Sequence, residues 1–171
     1  DVYVISAEEI LWGGLLLAVT IGMHGVGMFA ILGFVQSIKE RLAPVDSFVG
    51  GLAIVIVASL LITFTNLVEV AMWALFFVWQ GAQPHHSVAF YHALLNYTTL
   101  QAEYLPQRWR LLEAGLGMAG LLTLAWSTGI LFMLAKDFQE TQIRVRRHRR
   151  LAGHGAAASP DSSSPNSGGS R

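Results

Sequence analysis

Two stretches of this 171-residue chain are almost empty of formal charge, and they decide what it can fold into. Between Glu9 and Lys39 there is no Lys, Arg, Asp or Glu, and between Asp46 and Glu103 there is only Glu69. Each run exceeds the roughly 20 apolar residues that cross the hydrocarbon core of a bilayer. The chain is 53% hydrophobic and 13% charged, whereas a soluble domain carries about 25% charged residues. The formal net charge of zero therefore hides a segregated pattern. With no cysteine present, disulfides, thiolate metal sites and thiol nucleophiles are excluded. The stretch from Asp1 to Glu9 lacks the basic start of a secretory signal, and the apolar run after it is too long for a signal core. That run is expected to be a retained span.

The charge pattern divides the chain into spans and connectors. Residues 1–9 form an extracytoplasmic N-terminus and residues 10–36 a first span, whose glycines (Gly13, Gly14, Gly22, Gly25, Gly27, Gly33) suit close helix packing in lipid. Residues 37–49 are a polar connector holding Lys39, Glu40, Arg41, Pro44 and Asp46. A second span covers residues 50–80, with Trp73 and Trp79 placed as an interfacial aromatic belt. After the break at Gly81-Ala82-Gln83-Pro84, the apolar stretch His85 to Leu100 is too short to span at 1.5 Å per residue. A short helix that dips into the membrane and returns is expected within residues 81–108. Such an element is tolerated where its irregular end is buried in protein or lines a cavity. A third span covers residues 109–135. Residues 136–171 form a tail that is basic through Arg144, Arg146, Arg147, Arg149 and Arg150, then rich in Gly, Ala, Ser and Pro and expected to be disordered from about Leu151.

Lysine and arginine placement orients the spans. The N-terminal stretch has none, the 37–49 connector has Lys39 and Arg41, and the tail has most of the remainder. The expected topology puts the N-terminus outside, the connector and tail inside, and the 81–108 segment outside, with Arg108 and Arg110 outweighed by the tail. The expected location is the inner (plasma) membrane of a bacterium.

A short helix between two spans is the layout of an ion-channel pore loop. The run Tyr91-His92-Ala93-Leu94-Leu95-Asn96-Tyr97-Thr98-Thr99-Leu100 resembles the pore helix of small bacterial potassium-channel-like proteins, which ends in Tyr-Thr-Thr-Leu. Trp109-Arg110-Leu111-Leu112, then Ala125-Trp126-Ser127-Thr128 with Leu131-Phe132, resemble the segment after the filter in that family. Asn66-Leu67-Val68-Glu69 with Trp73-Ala74 resembles its span before the pore. The resemblance covers about residues 60 to 135 and implies an all-α membrane protein with three transmembrane helices and a re-entrant pore-type helix before the last. It further implies a pore-forming subunit, tetrameric by analogy.

The departure is at the filter. Thr98, Thr99 and Leu100 are followed by Gln101, Ala102, Glu103 and Tyr104, where the family would carry Gly-Tyr-Gly-Asp. A potassium filter replaces the ion's water with stacked backbone carbonyls, and glycine is the residue that reaches the required positive φ cheaply. No glycine lies between Gly81 and Gly115, and Pro106 stiffens the exit. The scaffold is expected to carry over and potassium selectivity is not. Glu113 lies about one turn from the position of a family glutamate, so no role passes to it.

Among polar residues, His24 lies near the middle of the first span, and Asn66 and Glu69 lie three apart in the second. Intramembrane ionisable groups are costly and face the protein interior in pairs; these three are expected to form a buried strut or a proton or ion relay. His85, His86 and His92 sit at the outer mouth, where imidazoles can bind a metal or haem. No carboxylate stands at a chelating spacing, so they are read as interfacial polar residues, with no metal site and no cofactor expected. Glu103 at the loop tip would place a ring of carboxylates at the mouth of a tetramer. Arg144 to Arg150 read as a topology anchor or a contact with anionic headgroups. Nothing suggests a phosphate loop, a nucleophile–base pair or a nucleic-acid platform, so no enzymatic activity is expected. The expected partners are the lipid bilayer and either further copies of the chain, as a homotetramer, or a larger membrane complex. The two functional readings are a channel-like subunit without a potassium filter, weakly cation-conducting, and a non-conducting relative serving as an accessory subunit.

Overall fold

The computed structural model describes residues 5–41, 48–100 and 105–157. Helices account for nearly all of it: α1 Ala7–Arg41, α2 Phe48–Trp79, α3 His86–Tyr97 and α4 Arg110–Ala157, with a single 3₁₀ turn at Gln107–Trp109 leading into α4. There is no strand among the described residues. Three of the helices, α1, α2 and the Arg110–Arg147 part of α4, are long and apolar enough to cross a membrane. The chain thus has the make-up of a multi-pass membrane protein.

Paired side chains fix the directions of these helices. Glu9 on α1 reaches the Leu111 amide at the start of α4, His24 meets Ser127, and Lys39 meets Asp137 near the other end. The pairing advances along both helices together, so α1 and α4 run parallel. Against α2 the pairing reverses: Thr20 meets Trp73, His24 meets Glu69, and Gly27 packs against Thr65. α1 and α2 are therefore antiparallel. α3 starts beside the end of α2 and packs between α2 and α4. Its last residue, Tyr97, reaches Glu69 and Thr123. Those residues lie about 15 Å along α2 from Trp79 and about 20 Å along α4 from Arg110, at 1.5 Å per residue.

The core has two parts as a result. Where α3 is present, Trp73, Phe77, Ala89, Ala93, Tyr97, Leu112 and Leu116 form one cluster; beyond its tip, Met28, Ile31, Ile54, Ala58, Ile62, Ile130 and Leu134 close α1, α2 and α4 directly on one another. The small residues of α3, Ala89 and Ala93, are fully buried and let it sit close to its neighbours.

One end of the bundle is secured by capping. Ser6 and Glu9 form a reciprocal capping box, Ser6 Oγ accepting from the Glu9 amide at 3.1 Å and Glu9 Oε2 from the Ser6 amide at 3.1 Å. The other oxygen of the same carboxylate accepts from Leu111 N at 3.3 Å, so one buried Glu9 caps α1 and α4 together. An anion at two helix N-termini is favoured by both macrodipoles.

Several sequence expectations are revised. Trp73 is not an interfacial belt residue: it is fully buried, and its Nε1 donates to Thr20 Oγ1 at 2.9 Å; Trp79 is the exposed one. Of the α1 glycines, Gly25 and Gly27 meet neighbouring side chains, while Gly13, Gly14, Gly22 and Gly33 face open space. α4 does not end near Leu134. It continues to Ala157, past Leu151 where disorder is expected, because the segment has no Pro and is rich in the helix formers Arg, Gln and Ala.

At Gly120 of α4 the approach of two backbones is closest among the described glycines: a Cβ there would lie 1.9 Å from the Tyr97 carbonyl oxygen. Backbone on one side and backbone on the other leave nothing flexible to give way. Gly120→Ala is expected to lower stability by at least the ~1–3 kcal/mol typical of overpacking. Gly129→Ala, at a position with nothing within 4 Å, is expected to be neutral. Thermal unfolding of both variants in detergent checks the contrast; equal melting temperatures would contradict the packing described.

Candidate functional site

Each of the four helices contributes to one buried polar junction. His24 supplies α1, Glu69 and Asn66 supply α2, Tyr97 supplies α3, and Thr123 and Ser127, one turn apart, supply α4. His24 Nδ1 lies 2.8 Å from Glu69 Oε1, and its Nε2 lies 3.4 Å from Ser127 Oγ. Tyr97 Oη donates to Glu69 Oε2 at 2.6 Å, meets the Thr123 hydroxyl, and lies 3.5 Å from Asn66 Oδ1. His24 and Glu69 are fully buried, and Tyr97, Thr123 and Ser127 nearly so.

The local sequence explains the arrangement. His24 falls on the buried stripe of α1, with Thr20 one turn before it and Met28 one turn after. Thr123 and Ser127 share a stripe with Leu116, Ile130 and Leu134 on α4. A buried carboxyl without partners is among the most costly groups a core can hold; Glu69 has a partner on each oxygen. The junction therefore ties α1 and α3 directly to one residue of α2, and α4 to it through Ser127 on His24 and Thr123 on Tyr97. Toward the far end of the bundle the polar residues give way to Met28, Ile31, Ile62 and Ile130.

A second buried network lies nearer the start of α3. His92 Nε2 is 3.0 Å from Glu113 Oε1 and 3.0 Å from Asn96 Nδ2, and Glu113 Oε1 also accepts from the Leu105 amide at 3.1 Å. This turns His92 of α3 toward Glu113 of α4 and away from the exposed His85 and His86. No three His, Asp or Glu among the described residues stand together as metal ligands. Glu113, for which sequence reading has no role, holds α3 and the incoming loop to the start of α4.

The filter-equivalent residues divide. Thr98, Thr99 and Leu100 are described, whereas Gln101, Ala102, Glu103 and Tyr104 lie outside the described residues. After Tyr97 the chain turns back on the helix. The Leu100 amide donates to Leu95 O at 2.9 Å and the Thr99 amide to Asn96 O at 3.0 Å. This is the Schellman pattern, with Thr99 in the left-handed region at φ 64°. That position is ordinarily glycine; a β-branched residue there costs about 1–3 kcal/mol. Leu94 O accepts from the Thr98 amide and hydroxyl at 3.0 and 2.9 Å, and Tyr97 O is pressed against Gly120. The Leu94, Leu95 and Asn96 carbonyls are thus occupied by hydrogen bonds from within the chain.

Sequence reading singles out His24, Asn66 and Glu69, and the structure brings all three to the junction. Tyr97, Thr123 and Ser127 were missed as its members. A signal was present: Thr123 and Ser127 are the polar pair at i, i+4 spacing inside the last apolar run.

Comparisons of the chain with protein-family models, with curated proteins and with solved structures returned no match.

Breaking a buried ionisable pair by removing one partner costs about 3–5 kcal/mol, whereas replacing both with apolar residues is often close to neutral. His24→Leu is therefore expected to destabilise the protein strongly, and His24→Leu with Glu69→Met to recover part of that loss despite carrying a second substitution. Chemical or thermal unfolding in detergent measures both. Strictly additive losses would contradict the pairing.

Proposed function

We propose that the protein is a channel-like membrane subunit whose α3 is a re-entrant helix and whose loop does not form a potassium filter. The proposal places the N-terminus outside and the tail inside, with α3 entering from the outer side. The single observation that carries it is the position of α3: a 12-residue helix, far too short to span, held between two long apolar helices with its tip against Glu69 and Thr123. In a bilayer crossed by α1, α2 and α4, a helix so placed begins at one face and ends in the interior. The chain then returns to that same face by Trp109, which packs edge-on against Phe76 near the end of α2.

The absence of a potassium pathway is supported by how α3 ends. A filter needs an extended run of carbonyls free to face an ion. Here the Leu94, Asn96 and Leu95 carbonyls accept hydrogen bonds from the Thr98, Thr99 and Leu100 amides in turn, and the chain reverses at Thr99. The same closure favours the second reading, a non-conducting subunit that keeps the fold as a packing partner of further copies or of a larger membrane complex. The first reading depends on Glu103 as a cation-attracting charge, at a position outside the described residues.

Two experiments address these readings. Purified chain reconstituted into liposomes is expected to give either no ion flux or a weak cation flux without potassium preference. Flux that falls with Glu103→Gln supports conduction along the loop; silence with co-purifying partners supports the accessory reading. Strong selection of potassium over sodium would contradict both. For topology, cysteines introduced singly by Ile5→Cys and Ser163→Cys in this cysteine-free chain should label from opposite sides of the membrane. Labelling from one side would mean an even number of crossings.

A further inference from the structure

Among the described residues of α4, the basic segment finds no counter-charge to spare. The acidic residues near it on α4 are already used: Asp137 pairs with Lys39 and Glu140 lies 3.8 Å from Lys136. From Thr141 to Ala157 there is no acidic residue, while Arg144, Arg146, Arg147, Arg149 and Arg150 fall within seven positions. Arg144, Arg146 and Arg147 are exposed. Like charges three and four residues apart destabilise an isolated helix, yet α4 runs unbroken through this stretch. An external anion would relieve that repulsion.

We propose that this part of α4 binds the anionic headgroups of the membrane leaflet from which it emerges. The inference rests on the membrane reading above. Three features select this partner. The segment is covalently continuous with a span, beginning about 10 Å along the helix beyond Asp137, so the leaflet is the anionic surface always at hand. An arginine side chain directed back along the helix shortens that distance to within the Debye length of about 8 Å at physiological salt. The exposed apolar residues of the segment, Ile143 and Leu151, lie on one side of the helix with Arg147 between them, about 80° apart at 100° per residue. Aliphatic residues flanked by arginine suit the headgroup–acyl boundary. A soluble polyanion would use the arginines and leave Ile143 and Leu151 in water. Clusters of this size next to a span are bound through anionic lipid, each arginine contributing roughly equally.

The test uses the full chain carrying Ala152→Cys labelled with an environment-sensitive dye, in vesicles of phosphatidylcholine with and without phosphatidylglycerol. The dye is expected to shift to the blue, and to be quenched by a lipid-borne quencher, only when phosphatidylglycerol is present. Each arginine replaced by glutamine among Arg144, Arg146 and Arg147 should lower the bound-to-free ratio about fivefold, and high salt should abolish binding. Equal signals in both vesicle types would overturn the proposal. So would a lipid effect that survives the triple substitution, or a shift that requires added RNA or acidic peptide. Resistance to alkaline carbonate, measured on the same vesicles, separates failure of this proposal from failure of the membrane reading.

Discussion

The requirement that a buried carboxyl be satisfied organises this molecule. Glu69 is the one formal charge of α2 and is fully buried, out of reach of solvent. His24 and Tyr97 take one oxygen each, at 2.8 and 2.6 Å, and they come from different helices. Their placement leaves little freedom. Sliding α1 by one residue against α2 would rotate His24 about 100° away from the carboxyl. Shortening α3 by one turn would withdraw Tyr97. The register of three helices is thus held by hydrogen bonds to one side chain, whereas apolar packing between long helices in lipid would discriminate registers weakly.

Glu9 and Glu113 repeat the principle nearer the starts of α1 and α4. Glu9 caps α1 and α4 at once, and Glu113 receives α3 through His92 and the incoming loop through Leu105. Three acids, buried or largely so, therefore sit at three junctions, and every described helix is tied to another through at least one. The surface pairs Glu8–Arg108 and Lys136–Glu140 are exposed and worth little by comparison. The outward side is as informative for the proposed function. The polar residues of the junctions face inward among the helices, and the exposed face of α4 between Met118 and Phe132 is dominated by leucine, methionine and aromatic residues. A chain built this way is held together from inside and presents an apolar exterior.

Much of the architecture was legible in the sequence because charge exclusion is a strong signal. The runs flanked by Glu9, Lys39, Asp46 and Glu103 locate α1 and α2 to within a few residues, and the Gly81–Pro84 break together with the short apolar run locates α3. His24 and Glu69 stood out because ionisable groups in such runs must find one another. Other features were not legible for physical reasons. Tyr97 reads as one more aromatic residue until the tip of α3 is placed beside Glu69. Trp73 carries the same belt signal as Trp79, and only its contact with Thr20 distinguishes them. The reach of α4 past Leu134 was hidden because composition there reports solubility and not helicity: Arg, Gln and Ala are good helix formers in a segment that looks like a tail. Thr99 in a left-handed cap could not be read at all, since sequence preference assigns that position to glycine or asparagine.

The central claim is that α3 ends inside the bundle, closed on its own carbonyls. Amide hydrogen exchange in lipid nanodiscs tests it directly, residue by residue. The account predicts that the amides of Thr98, Thr99 and Leu100, which donate to Leu94, Asn96 and Leu95, are protected to a degree comparable with those of α2 around Glu69. Exchange of these three amides at the rate of an open loop, with α2 protected, would contradict it.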